Sequence, residues 1–380
     1  MDTVDVSLVT YTYNDGRFVD GLLAALASWT LLPREVVVVD DGSATPYAPP
    51  PCPVPVTLLR HETNRGIPAT KHEGISAGSS TSLLAMDCDT RVVPTWLETC
   101  LPLAGREDIG LVSGPVAYLS GDDLVSRYQR AFGDNHNLEK DGVTDFAPGN
   151  VFLLRRAVWE ACGGMAGFGG EVCEDHFLCG RIKALGLSLW VDRRARARQT
   201  RRITRLAMSQ RYWKWCREPV VRRALTCEDL PGYILAVLGL PHAERVETCI
   251  TLEEPMFLYL EALYVSYTVL DVLDAAIAAG KADAALKAAW WAGLAALFAG
   301  YGTLWAVLRA DLTRLGQPPR PGFPAGADNP FAPSLAALDA LKTSSVFAWM
   351  AKQGVPAMLA EERAGTFDFS FYDATAGGGR

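Results

Sequence analysis

The residues best suited to chemistry in this 380-residue chain are carboxylates set in pairs. Asp40-Asp41-Gly42-Ser43 closes one apolar run, Asp87-Cys88-Asp89 closes another, and Glu174-Asp175-His176 opens a helical pattern. Taken alone, an Asp-Asp-Gly-Ser sequence is often only a tight turn or a helix cap. Two acidic groups at neighbouring strand ends repel, however, unless a cation or hydrogen-bond donors lie between them. Two aspartates with one spacer suit a hard cation such as Mg2+ or Mn2+, which takes oxygen ligands and shares them with a diphosphate. One carboxylate then holds the metal while the other accepts hydrogen bonds from a ribose. Glu174 and Asp175 have two readings. Carboxylates at a helix start are favoured by the macrodipole, and a carboxylate beside an acceptor hydroxyl can take its proton. The glycine-dense stretch Gly163–Gly170 just before them can bend closely around a ligand.

The elements that must position these groups follow from the apolar pattern. Apolar runs alternate with helical patterns through the first half, which predicts an α/β fold with a Rossmann-like, mostly parallel sheet. Strands are expected at Asp5–Thr10, Glu35–Val39, Val54–Arg60, Ser82–Met86, Ile109–Pro115 and Val151–Leu154. Helices are expected at Phe18–Trp29, Pro68–Ala77, Pro94–Leu103 and Asp175–Leu185. Glu35–Val39 is almost entirely β-branched, as befits a strand buried on both faces. The paired aspartates thus fall at the C-terminal ends of strands, where open α/β sheets bind ligands. Neither a Gly-x-x-x-x-Gly-Lys-Ser/Thr loop nor a Gly-x-Gly-x-x-Gly turn is present, so P-loop and dinucleotide sites are not expected.

From about Leu225 the pattern changes to long helices rich in alanine and leucine, predicting a smaller α-helical C-terminal domain. The expected organisation is a first domain over residues 1–220, a helical domain over 221–312, a proline-rich linker or strap over 313–334, and a terminal helix with a flexible tail over 335–380. The last helix is expected at Leu335–Lys352, and Thr375–Arg380 is expected to be disordered.

A net charge of −7 argues against nucleic acid as a partner. Eight arginines crowd between Arg193 and Arg211. Such a run is either a solvated helical face or a site for phosphate or another anion. Nine cysteines without CxxC spacing suit a reducing compartment. The acidic start, Met1 to Asp5, runs straight into a strand pattern, so no signal peptide is expected, and the expected location is the cytoplasm, including the inner face of the membrane. Ala288–Leu308 is 21 residues without a charge, long enough to span a bilayer. Its alanine and glycine content favours a buried helix or helical hairpin.

Six segments in order then resemble one family. These are Val6-Ser7-Leu8-Val9 leading to Thr12-Tyr13-Asn14, Val38-Val39-Asp40-Asp41-Gly42-Ser43, Asn64-Arg65-Gly66-Ile67, Met86-Asp87-Cys88-Asp89, Gly149–Arg156 and Cys173–Arg181. Each is weak alone, but their order and spacing over about residues 4–217 resemble the inverting glycosyltransferases of family two, with the GT-A type nucleotide-sugar fold. The resemblance implies transfer of a sugar, with inversion, from a nucleotide-diphospho-sugar (UDP-linked) to an acceptor hydroxyl, in the building of a polysaccharide or glycoconjugate. It implies Mn2+ or Mg2+ as cofactor. It leaves the acceptor open among glycan, lipid-linked, protein and small-molecule hydroxyls, with peripheral membrane association allowed.

By the same resemblance Tyr11, Tyr13 and Asp41 hold the nucleobase, Lys71 contacts base or phosphate, Asp87 approaches the ribose and Asp89 the metal. Asp175 is the base, assisted by Glu174. Gly149, Asn150, His176, Arg198 and Gln210 belong to the acceptor or diphosphate region. The chain departs from the family at three places. Tyr11 stands where proline is common, Arg194–Thr200 lacks the histidine many members carry, and Trp213 stands where processive members have arginine. Processive synthesis is therefore not expected. The missing histidine leaves a non-catalytic nucleotide-sugar-binding relative as an alternative. A nucleotidyltransferase would share Asp-x-Asp and the metal, but the Gly-rich triphosphate loop such an enzyme needs is absent.

Overall fold

A computed structural model describes residues 2–118, 121–132, 141–252, 254–319, 329–339 and 346–364. The chain divides into two units between Arg202 and Ile203, with Asp123–Val125 counted in the second. The boundary expected at residue 220 instead falls inside a helix, Arg205–Ala224.

The first unit contains strands β1 (Asp2–Thr12), β2 (Leu31–Asp40), β3 (Val56–Arg60), β4 (Ser82–Met86), β5 (Thr90–Val92), β6 (Ile109–Ser113), β7 (Val116–Tyr118), β8 (Gly142–Thr144), β9 (Val151–Arg155), β10 (Ser188–Val191) and β11 (Ala197–Gln199). Its helices are α1 (Gly16–Ala25), α2 (Ile67–Ala77), α3 (Trp96–Ala104), α5 (Arg156–Cys162) and α6 (Glu174–Ala184), while α4 (Leu124–Phe132) straddles the division. Eight strands form one sheet in the order β3-β2-β1-β4-β9-β6-β10-β8, and β5-β11-β7 form a small second sheet.

Two-residue alternation sorts the large sheet's side chains. Val6, Leu8, Val36, Val38, Leu84, Met86 and Leu153 face the side covered by Leu22 of α1 and Trp96 of α3. Val9, Val37, Leu83, Ala85, Phe152 and Leu154 face the other, with Ile75 of α2, Trp159 of α5 and Ile182 of α6. Each such aliphatic side chain, taken fully out of water, contributes about 1.5–3 kcal/mol. This is a three-layer α/β/α unit with a mostly parallel central sheet. β9 runs antiparallel to β4 and β6, with Met86 opposite Val151. That reversal brings the start of β9 to the C-terminal end of β4.

The second unit is helical, with α7 (Arg205–Ala224), α8 (Leu230–Ile234), α9 (Leu240–Thr251), α10 (Pro255–Ala278), α11 (Ala284–Leu297), α12 (Gly302–Arg314), α13 (Ala332–Asp339), α14 (Val346–Trp349) and α15 (Val355–Ala364). α10 is apolar nearly all round, as a central helix must be, and packs against α7, α9, α11 and α12. Among the described residues it is the one helix long and apolar enough to cross a membrane, and 83% of its most apolar window is buried within the protein. The uncharged stretch Ala288–Leu308 is not one span. α11 ends at Leu297, Gly300 adopts a φ of 88°, and α12 begins at Gly302. The single helix expected at Leu335–Lys352 is also not continuous as described: α13 ends at Asp339, α14 starts at Val346, and a wider π-type turn, Met350–Gly354, leads into α15. Thr375–Arg380 and part of the proline-rich stretch lie outside the described residues.

Candidate active site

The parallel strands deliver their C-terminal ends to one edge of the large sheet. Tyr11 and Thr12 end β1, Asp40 ends β2 and Asp87 follows β4. Antiparallel β9 adds its start to the same edge, where the Asp87 N–H donates to the Asn150 carbonyl at 2.8 Å. The turn after β2 is built around its two aspartates. Asp40 accepts from the amides of Ser43 (3.0 Å) and Tyr47 (2.9 Å) and pairs with Arg60. Asp41 accepts from the amides of Arg65 (2.8 Å) and Gly66 (3.0 Å) and lies 2.6 Å from His61 Nδ1. Gly42 sits at a φ of +76°, and a Cβ there would lie 2.6 Å from the Thr63 backbone. Only glycine fits.

Asp87 is held by two partners. The Tyr11 hydroxyl donates to its Oδ1, and Asn150 Nδ2 donates to its Oδ2 at 3.2 Å. Burial raises its pKa, and the nearby Asp89 charge raises it further against the opposing pull of Lys71. Burial likewise pushes the Tyr11 hydroxyl well up, with Asp87 adding to the effect.

Asp89 lies within a tight turn closed by the Thr90 N–H donating to the Asp87 carbonyl at 2.9 Å. β11 pairs antiparallel with β5, Gln199 opposite Thr90, and so carries Arg201 to this turn. Arg201 Nε donates to Asp89 Oδ2 at 2.8 Å, and its terminal nitrogen donates to Asp15 Oδ2 at 2.8 Å. Burial opposes the guanidinium's charge, but Asp89 and Asp15 outweigh it and raise its pKa.

Glu174 and Asp175 open α6 behind Cys173, which adopts a left-handed φ of 68°. A non-glycine residue in that region costs roughly 1–3 kcal/mol, so the helix start is over-determined by its surroundings. Glu174 is buried and accepts from Lys71 Nζ at 2.7 Å. Burial opposes its ionisation, yet the Lys71 ammonium holds the carboxyl below its usual range. Asp175 is only half-buried. Its Oδ2 accepts the Gly149 N–H at 3.1 Å and its Oδ1 the His176 N–H at 2.8 Å.

The structure therefore gathers Tyr11, Lys71, Asp87, Gly149, Asn150, Glu174 and Asp175 into one network, with Asp89 next to Asp87. Asp41 belongs to a neighbouring network with His61. His176 is exposed and stacks on Phe146 at 4.1 Å. Arg198 is exposed on β11, and Gln210 lies on α7 in the second unit. Tyr13 is half-buried just after β1. The arginine run is not a solvated helical face: it includes strand β11, and Arg201 and Arg205 are buried.

Among the described residues no three His, Cys, Asp or Glu side chains converge as a metal cage. Asp89 Oδ1 accepts none of the described hydrogen bonds, whereas Oδ2 is taken by Arg201. One free carboxylate oxygen fits a hard divalent ion that completes its shell with water and diphosphate oxygens.

Residues 7–173 match the family described as Glycosyl transferase family 2. Over that span the chain is similar to family 2 glycosyltransferases. The putative glycosyltransferase EpsH of Bacillus subtilis (strain 168) is 29% identical over 113 residues, 28% of this chain. The match spans 32% of that relative's own length. Among solved structures, a mannosyltransferase PcManGT from Pyrobaculum calidifontis in complex with GDP-Man and Mn2+ is 18% identical, covering 82% of this chain and 86% of that one at a TM-score of 0.43. S. aureus TarS 1-349 in complex with UDP-GlcNAc is 13% identical, covering 83% and 90% at a TM-score of 0.43.

Proposed function

We propose that the first unit transfers a sugar from a nucleotide-diphospho-sugar, UDP-linked, to an acceptor hydroxyl in one inverting displacement with Asp175 as general base. The observation that carries this reading is the division of labour between adjacent carboxylates. Glu174 is buried and neutralised by Lys71, whereas Asp175 is half-buried and, among the described residues, accepts from two backbone amides alone. An ion-paired carboxylate is a poor proton acceptor. Asp175 keeps lone pairs free, because a carboxylate offers about four acceptor positions, and a placed base contributes about 10²–10⁴-fold.

Asp87, braced by Tyr11 and Asn150, presents its carboxylate to the donor's ribose. Asp89 and its partner Arg201 face the diphosphate. Mn2+ or Mg2+ held through Asp89 Oδ1 would, when bound, stabilise the charge on the departing diphosphate as a Lewis acid. None of the nine cysteines forms a disulfide among the described residues, which supports a reducing, cytoplasmic setting, and the burial of α10 supports a second unit that needs no bilayer.

A panel of UDP- and GDP-sugars, read by thermal stabilisation and by slow release of free sugar, tests the proposal. Stabilisation with sugar release is expected for at least one donor. Stabilisation without release would indicate a non-catalytic binder, and the absence of both responses would reject the reading.

A further inference from the structure

Gly149 joins two carboxylates through its backbone. Its N–H donates to Asp175 Oδ2 at 3.1 Å, and its carbonyl accepts from Lys71 Nζ at 3.0 Å. The same ammonium donates to Glu174 Oε1 at 2.7 Å and lies 3.5 Å from Asp87 Oδ1. The Lys71 side chain is 4% exposed and sits 5.4 Å from the centre of the Tyr11 ring. An ammonium has three N–H donors. Gly149 and Glu174 take two, and Asp87 is the remaining anionic neighbour. With Asp87 Oδ1 already 3.5 Å from the ammonium, a phosphate group would have to compete with three partners already in place.

The fit around Gly149 is equally tight. A Cβ at this position would lie 2.9 Å from Lys71 Nζ and 3.2 Å from Asp175 Cβ. The first separation is shorter than a real Cβ contact and the second is tight, so an added methyl must push the Lys71 ammonium and the Asp175 side chain aside. Lys71 comes from α2, Gly149 from the turn before β9, and Asp175 from the first turn of α6.

Resting on the glycosyltransferase reading above, we infer that Lys71 and Gly149 form a clamp that positions the general base, and that Lys71 serves this clamp instead of binding the donor's phosphates. Lys71 pins the Gly149 carbonyl and Glu174. That fixes the Gly149 N–H, which in turn fixes Asp175. Removing the ammonium leaves Glu174 buried without its counter-charge and beside Asp87. The first turn of α6 then shifts, and a displacement of about 1 Å in a reacting group costs roughly 10²-fold in rate.

The test compares Lys71→Met and Gly149→Ala with the wild type. UDP affinity is measured by calorimetry, and kcat for hydrolysis is measured with whichever nucleotide-sugar the wild type releases fastest. Both variants should lose about 10- to 100-fold in kcat and keep UDP affinity within about threefold, since uniform binding is untouched. Lys71→Met with a tenfold or greater loss of UDP affinity would show a donor-phosphate contact and overturn the inference. Unchanged kcat in either folded variant would overturn it too. Should Lys71→Met fail to fold, Gly149→Ala decides, because it keeps every charge. A wild type that hydrolyses no nucleotide-sugar sinks the glycosyltransferase reading itself, and the clamp with it.

Discussion

Arg201 donates its Nε–H to Asp89 Oδ2 across 2.8 Å, so the carboxylate proposed to hold the metal is already braced by a buried guanidinium. The second arm of that guanidinium reaches Asp15 just after β1. The pair therefore ties the turn after β4 to the turn after β1. Asp89→Asn should remove most donor turnover and abolish any gain in UDP affinity on adding Mn2+, while leaving Arg201 bonded to Asp15. Hydrolysis rates with and without EDTA check this. Full turnover in EDTA, or in the Asn variant, would contradict the metal role of Asp89.

Arg201→Met should act on the same property by a different route. Asp89 and Asp15 would lose their shared cation, and one partner removed from a buried pair typically costs about 3–5 kcal/mol. A thermal melt should show that loss in the first unit. A melt within a degree of wild type would mean that the ion pair contributes nothing to holding the turn.

The turn after β2 predicts a pH effect. Burial opposes ionisation of Asp40, but hydrogen bonds from Ser43 and the Tyr47 amide, with Arg60 close by, outweigh it and hold the carboxyl below its unfolded value of 3.8. A carboxyl depressed in the folded state adds stability that is complete above the unfolded value and is lost as pH falls through the folded one. Asp40→Asn should cost about 1–3 kcal/mol at neutral pH, and the gap from wild type should narrow as pH drops below 3.8. Urea unfolding across pH 7 to about 3 measures it. A gap that widens towards acid would refute the assignment.

In the second unit, Asp311 receives both arms of Arg205, at 2.6 and 2.7 Å, and the Tyr259 hydroxyl at 2.6 Å. Arg205 also pairs with Glu362. Both partners are nearly inaccessible to water. Asp311→Ala should destabilise the helical unit by about 3–5 kcal/mol because it leaves the buried guanidinium with Glu362 alone and takes the acceptor from the Tyr259 hydroxyl. Replacing both, as Arg205→Met with Asp311→Leu, should cost less. Denaturant titration of the two variants decides, and a cost below about 1 kcal/mol for the single change would contradict this.

Some of this arrangement was legible in the sequence because it rests on local pattern. The β-branched run Glu35–Val39 gave away a strand buried on both faces, and Asp40-Asp41-Gly42-Ser43 gave away the turn that ends it. Ser82–Met86 and the start of α6 were readable for similar reasons. The direction of β9 was not, because an apolar run of four residues looks the same in either orientation. Yet that direction is what sets Asn150 against Asp87. The strands β5, β7 and β11, three residues each, are too short to show a period. Without them nothing said which arginine of the run would reach Asp89, 112 positions away. His61, alone at the end of β3, carried no signal that it would sit between Asp41 and Glu73. Lys71 was noticed for its place in the family pattern, but its partners come from segments far apart along the chain.

The central claim is that Asp175 takes the acceptor's proton, and the turnover rate of Asp175→Asn with its best nucleotide-sugar tests it most directly. The amide keeps the shape and can still accept the Gly149 N–H, but it cannot take up a proton. Turnover should fall by about 10²-fold or more, with UDP affinity unchanged because other groups hold the diphosphate. A rate close to wild type in the folded Asp175→Asn protein would contradict the account and remove Asp175 as the base.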